Sequence, residues 1–393
     1  MRTSDHSMPR RDFLKVVAAA GFGSLLPAAA ETLAPKIPKR PFGKTGVEVP
    51  ILSLGGMFDI PNNQLILRRC LDWGVTYWDT ADCYEGGRSE PGFGRFFEKN
   101  PASRKNVFLV TKSCARDIPG MTQLLTRSLE RMKTDYIDLY FLHGIGSIDD
   151  VTPDMKAWVS NRKKEGKIRF FGFSTHRHME DCLEGAARLG WIDGIMFSYN
   201  FRLMHKDGMK RAVDACEQAG IGLTAMKTQG GGSVKADSEK ERALAGRFLE
   251  TGFTPEQAKL KAVWANPQIA CICSQMPNTR ILNANIAAAL DRTTLDTAEM
   301  EALERYARDT ASDYCTGCAN LCGAAARGAP ISDAMRCLMY YRHYSDPVLA
   351  RAEFARIAPA LQLGAASRAA AEAACPNHLP IGALVDEARR LLG

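Results

Sequence analysis

Two absences narrow the reading at once. No internal stretch reaches the roughly 18 apolar residues that a helix needs to cross a bilayer. No G-x-G-x-x-G turn follows the first apolar run either, which counts against an open, doubly wound dinucleotide fold. Concentrated charge is lacking too. The net charge is +7 over 393 residues. Residues 1–30 hold Arg2, Arg10, Arg11 and Lys15 against Asp5 and Asp12, which leaves +5 for the rest of the chain. Charge so dispersed argues against a nucleic-acid partner. His176 and His178 have no companion at ligand spacing, so they read as a surface loop rather than a metal site.

What is present is ordinary for a folded chain, with 46% hydrophobic and 24% charged residues. The length exceeds one typical domain, although a (β/α)8 barrel absorbs about 250 residues. Seven of the twelve cysteines (Cys70, Cys83, Cys114, Cys182, Cys216, Cys271 and Cys273) are scattered through predicted helices and strands. They read as small core hydrophobes. The other five lie in the last eighty residues and need a separate reading.

The N-terminus carries Pro9-Arg10-Arg11-Asp12-Phe13-Leu14-Lys15, an apolar stretch from Val16 to Leu26, and Ala28-Ala29-Ala30. A charged start, a short apolar region and an A-x-A site compose a secretory signal. The arginine pair resembles the twin-arginine motif of folded-protein export. Residues 1–30 are thus expected to be a signal peptide read by the twin-arginine export machinery, with a periplasmic destination. Residues 31–40 read as a linker.

Beyond residue 40, short apolar runs alternate with amphipathic segments. The runs are Ile51–Gly55, Thr76–Thr80, Val107–Lys112, Ile137–His143, Ile168–Thr175, Gly194–Asn200, Ile221–Lys227 and Ile269–Gln275. Their branched and aromatic content suits buried parallel strands. Between them, Leu125, Leu129 and Met132, and likewise Leu183, Ala186 and Ala187, fall on one helical face. Gly74 and Gly220 stand where helices should stop. Eight such units predict an α/β fold, a closed (β/α)8 TIM barrel. Phe42–Val49 reads as a hairpin capping its bottom. A helix is expected over Thr297–Arg308 with Thr297 as cap, then helices near 331–344, 347–358, 365–374 and 381–392.

Active sites of such barrels lie at the carboxyl ends of the strands. There the sequence offers Asp79-Thr80-Ala81-Asp82-Cys83-Tyr84, then Val110-Thr111-Lys112, then Asp138-Leu139-Tyr140 ahead of His143. In that order, at those strand ends, the set resembles the aldo-keto reductases over roughly residues 38–290. The resemblance implies carbonyl reduction by a nicotinamide cofactor. Tyr84 would protonate the carbonyl oxygen, its pKa lowered by Lys112, which Asp79 holds; His143 would orient the carbonyl. It also implies a nucleotide site of Ser174, Asn200, Met226, Lys227, Gly230 to Gly232, Ser274, Arg280 and Asn285. Met196, Met226 and Ala284 stand where relatives carry a glutamine, an aromatic and a glutamate. Gln275 replaces a common lysine, so NADP and NAD both remain open.

The tail, residues 297–393, follows a barrel expected to span 38–295. It carries Cys315, Cys318 and Cys322 as C-x2-C-x3-C, with Cys375-Pro376 far downstream. Thiolates so spaced bind iron–sulfur clusters or zinc, and in an exported protein two disulfides are a further reading. The pattern resembles the ferredoxin-like tail fused to some aldo-keto reductases. That implies one [4Fe-4S] cluster on Cys315, Cys318, Cys322 and Cys375, with Cys337 as reserve fourth ligand. The functional expectation is an exported oxidoreductase acting on a small carbonyl or alcohol substrate, its cluster structural or serving a redox partner. The alternative is an electron-transfer or binding module that kept the barrel without turnover.

Overall fold

A computed structural model describes residues 36–231, 239–250, 252–344 and 346–393. The expected signal peptide and Gly232 lie outside the described residues. A two-stranded hairpin of β1 (Lys39–Pro41) and β2 (Glu48–Pro50) comes first. The barrel strands follow: β3 (Leu52–Gly55), β4 (Tyr77–Asp79), β5 (Phe108–Ser113), β6 (Ile137–Ile145), β7 (Ile168–Thr175), β8 (Gly194–Ser198), β9 (Gly222–Met226) and β10 (Cys271–Gln275). Each pairs in parallel with the next, and β10 closes on β3. The eight strands lie within the eight apolar runs, or reach two residues beyond them in β6 and one in β5.

Side chains alternate across each strand. Trp78, Leu109, Tyr140, Phe171 and Ile195 point outward into the core shared with the helices. Tyr77, Val110, Leu139, Phe141 and Met196 fill the inside. Phe42 of the hairpin plugs the bottom, fully buried against Tyr77 and Phe108. Only glycine fits where Phe42 meets the strands: a Cβ on Gly222 would sit 2.5 Å from its ring. Helices end as the sequence predicts, with Gly74 and Gly220 in the left-handed region.

After the last barrel helix, Thr279–Leu290, comes the helix Thr297–Asp309. Its cap is Asp296, not Thr297. Asp296 and Glu299 form a reciprocal capping box, because a carboxylate one residue earlier reaches the same orphan N–H groups. The tail then folds as short helices, Ala319–Ala325, Ile331–His343, Pro347–Ile357, Ala365–Ala373 and Ile381–Leu392. They enclose their own core of Ile331, Ala334, Leu338, Phe354, Val385 and Ala388.

The tail lies across the carboxyl rim of the barrel. Arg177, just past β7, pairs with Asp333 at 2.5 Å. His178 donates its backbone N–H to the Gly317 carbonyl. Asn200 donates to the Tyr314 hydroxyl at 3.1 Å. His176 and His178 are therefore not a free surface loop: the tail segment around Gly317 covers them.

Candidate active site

The inside-outside alternation builds the site. Tyr77, Val110 and Phe141 point into the barrel, so Asp79, Lys112 and His143, two residues on, form the next layer up. Tyr84 arrives on a short turn after β4. Lys112 Nζ donates to Asp79 Oδ2 at 2.6 Å, to the Thr80 carbonyl at 2.7 Å and to the Tyr84 hydroxyl at 3.2 Å. The Tyr84 and His143 rings meet edge to face at 5.4 Å. The four residues singled out in the sequence thus share one rim.

Electrostatics departs from one expectation. Lys112 was expected to lower the Tyr84 phenol. Burial pushes the phenol well above its ordinary value instead, and the neighbouring Asp79 charge adds to this. Burial likewise raises the Asp79 carboxyl, with Lys112 pulling part of the shift back. His143 is held well below its ordinary value by burial, helped by Lys112, Arg116, Arg336 and Arg356. At neutral pH the rim therefore offers a protonated phenol and a neutral imidazole.

The expected nucleotide residues are only partly gathered. Lys227 and Gly230 line a cavity of about 490 Å³ between rim and tail. Asn200 lies beside them, donating to the Lys227 carbonyl at 3.0 Å. Met226 ends β9 and points inward, 9% exposed. Ser174 at the end of β7 accepts from the Gly144 N–H at 2.9 Å. Ser274 and Asn285 bond each other at 3.0 Å. Arg280 is exposed on the first turn of its helix. Among the described residues the cavity lining holds Arg202, Lys227, Lys259, Arg336 and Arg342 and no carboxylate. Its volume and charge suit an anionic ligand such as a dinucleotide pyrophosphate.

Sequence reasoning missed the tail's share of this wall. Arg336, held by Asp333 at 2.8 Å, faces the cavity. Lys227 Nζ lies 4.4 Å from the Tyr340 ring and 5.2 Å from Tyr344. The available signal was the charged pair at i, i+3 on the apolar face of the helix Ile331–His343.

Cys315, Cys318, Cys322 and Cys375 line one small cavity with Ile331, Met335, Leu379 and Ile381. Asn377 donates to the Tyr314 carbonyl at 2.7 Å, which ties the Cys-Pro segment to the first cysteine. All four are free thiols. Cys337 is buried outside this group, near Arg336, Asp333 and Glu353; its side of the helix turns towards Pro347–Ile357, so it does not reach the cavity as the reserve ligand. Two scattered cysteines also differ from expectation. Cys83 and Cys114 are exposed, not core residues, because they lie past the strand ends, on the open rim.

Residues 53–305 match the aldo/keto reductase family. The chain belongs to that family. An uncharacterized Bacillus subtilis oxidoreductase, YqkF, is 33% identical over 154 residues, which is 35% of this chain and 49% of the relative. The L-glyceraldehyde 3-phosphate reductase of Escherichia coli is 26% identical over 155 residues, 34% of this chain and 44% of the relative. The chain thus spans about half the length of these relatives. An aldo-keto reductase structure from Bacillus halodurans, in its holo form, matches with a TM-score of 0.59 at 23% identity, over 68% of this chain and 96% of that one. That likeness speaks for the aldo-keto reductase barrel as a fold.

Proposed function

We propose that this aldo/keto reductase reduces an aldehyde or ketone, or oxidises the corresponding alcohol, with NADP or NAD. The observation that carries the reading is Lys112 Nζ bridging Asp79 and the Tyr84 hydroxyl beside His143. A bound nicotinamide would supply the hydride. Tyr84 gives its proton to the carbonyl oxygen as the negative charge develops there, and an alkoxide is basic enough to take it from a phenol of high pKa. Lys112 then faces the phenolate and stabilises it until solvent returns the proton. His143, neutral, orients the carbonyl oxygen by a hydrogen bond. Lys227 and Gly230 would hold the dinucleotide phosphates.

The tail is proposed to carry a [4Fe-4S] cluster on Cys315, Cys318, Cys322 and Cys375. Such a cluster supplies rigidity or one-electron transfer to a redox partner. The donor set fits: four thiols around one cavity, not paired as disulfides. Zinc fits less well, since these four are not among the described groups compact enough for a single ion. Export to the periplasm by the twin-arginine route is proposed from Arg10-Arg11 and the apolar stretch after it.

One observation favours the non-turnover reading: Tyr314 and Tyr340 already engage Asn200 and Lys227. Titrating the full chain with NADPH and with NADH, following nicotinamide fluorescence, separates the two. The enzyme reading expects saturable binding of at least one nucleotide. No binding of either favours the module.

A further inference from the structure

Beside the tetrad stands a second group of side chains. Asp82, Cys83, Cys114 and His143 bring one ligand atom each to within 4.8 Å of one another. Cys83 Sγ and Cys114 Sγ lie 3.2 Å apart, and 3.5 and 3.4 Å from His143 Nδ1. The carbonyl chemistry uses only His143 of the four. We propose that they form a binding site for a thiophilic divalent cation of the zinc class, built into the catalytic rim.

The donor chemistry selects the ion. Two thiols, an imidazole nitrogen and a carboxylate oxygen suit zinc and its congeners, and do not suit calcium or magnesium. Spacing agrees. A tetrahedral zinc with sulfur at ~2.3 Å and nitrogen at ~2.0 Å sets its ligand atoms about 3.5 to 3.8 Å apart. The two sulfurs need to part by about half an ångström to reach it. They are well outside the ~2.05 Å of a disulfide bond.

Asp82 supplies a second, independent pointer. Its side chain is 6% exposed, and Oδ2 takes a hydrogen bond from Arg127 at 3.2 Å. Oδ1 is buried and accepts no hydrogen bond from any nitrogen or hydroxyl; its one polar neighbour is the Cys114 thiol, which interacts with the carboxylate and is itself a member of the group. A thiol is a weak donor for a buried carboxylate oxygen, and a cation among the four would satisfy it better. The exposed sulfurs leave the group open to solvent on one side, so an ion has a route in.

Binding balances simply. The two thiols lose their protons to solvent, and two thiolates and one carboxylate face the 2+ ion. Arg127 on Asp82 and Arg116 on the His143 carbonyl offset the remaining negative charge. Metal on Nδ1 leaves the proton on Nε2 and fixes the imidazole tautomer. It also anchors Cys83, the residue before Tyr84. The ion would thereby hold two tetrad members in position; the binding itself does not depend on the carbonyl reading.

Cobalt(II) titration of the full chain, tail cluster assembled, tests the site against Cys83→Ser/Cys114→Ser. The wild type is expected to bind one more equivalent than the variant. The tetrahedral thiolate–cobalt bands should appear in the difference, with two protons released per ion. Asp82→Asn should weaken that equivalent by more than about tenfold. Both proteins share the tail, so cobalt bound there cancels. Equal stoichiometry and equal spectra would overturn the proposal, as would a Cys83–Cys114 disulfide that survives treatment with a thiol reductant.

Discussion

Asp79, Lys112 and His143 each stand two residues beyond an inward-facing core side chain, and that alternation is why three polar groups share a layer above an apolar plug. Their burial decides their protonation. His143 and His176 are both held neutral, chiefly by desolvation. A histidine whose folded pKa lies below its ordinary 6.5 takes up a proton on unfolding. The stability it contributes is full above that ordinary value and is lost as pH falls through the window below it. In protein stripped of any metal at the rim, thermal unfolding followed from about pH 7.5 down to about pH 5.5 should therefore show a falling midpoint. The double variant His143→Gln/His176→Gln should flatten the curve; identical curves for the two proteins would contradict this assignment of charge. The Asp79–Lys112 pair is a different case. Removing one partner of such a buried pair costs about 3–5 kcal/mol, so variants at either position confound stability with chemistry.

At the scale of elements, the tail's cysteine-bearing segments matter most. Cys315 and Cys318 precede the helix Ala319–Ala325, Cys322 lies within it, and Cys375 ends the turn after Ala365–Ala373. Iron and sulfide analysis should find about four of each per chain in protein purified without oxygen. Cys375→Ala should lose that content, and Cys337→Ala should keep it. Loss in both, or iron-free wild-type protein, would contradict the ligand set. Most elements were legible in the sequence. The strands announced themselves because parallel strands covered on both faces read as apolar runs; the short helix Ala319–Ala325, built around Cys322, was not expected. Cys83 and Cys114 were misread because they stand four residues and one residue past their strand ends, where the core gives way to the rim. The contact of Gly317 with His178, and of Tyr314 with Asn200, could not be read at all. Each joins residues more than a hundred positions apart, and no local pattern specifies such a pairing.

The described residues form a barrel of the aldo/keto reductase family with a helical cover over part of its mouth. Arg177–Asp333, Asn200–Tyr314 and Lys227 against Tyr340 fasten that cover to the strand ends. The cover adds Arg336 and Arg342 to a cavity already bearing Lys227 and Arg202. An anion entering that cavity would thus meet a wall that the barrel alone lacks. On the proposed function, a nicotinamide bound at this rim passes hydride to a carbonyl while Tyr84 donates the proton. That step is tested most directly by single-turnover oxidation of bound NADPH or NADH against a panel of small aldehydes, in the wild type and in Tyr84→Phe. Turnover is expected in the wild type and its loss in the variant, by roughly 10²-fold or more, with the nucleotide still bound and the fold intact. Wild-type rates retained in Tyr84→Phe would contradict it.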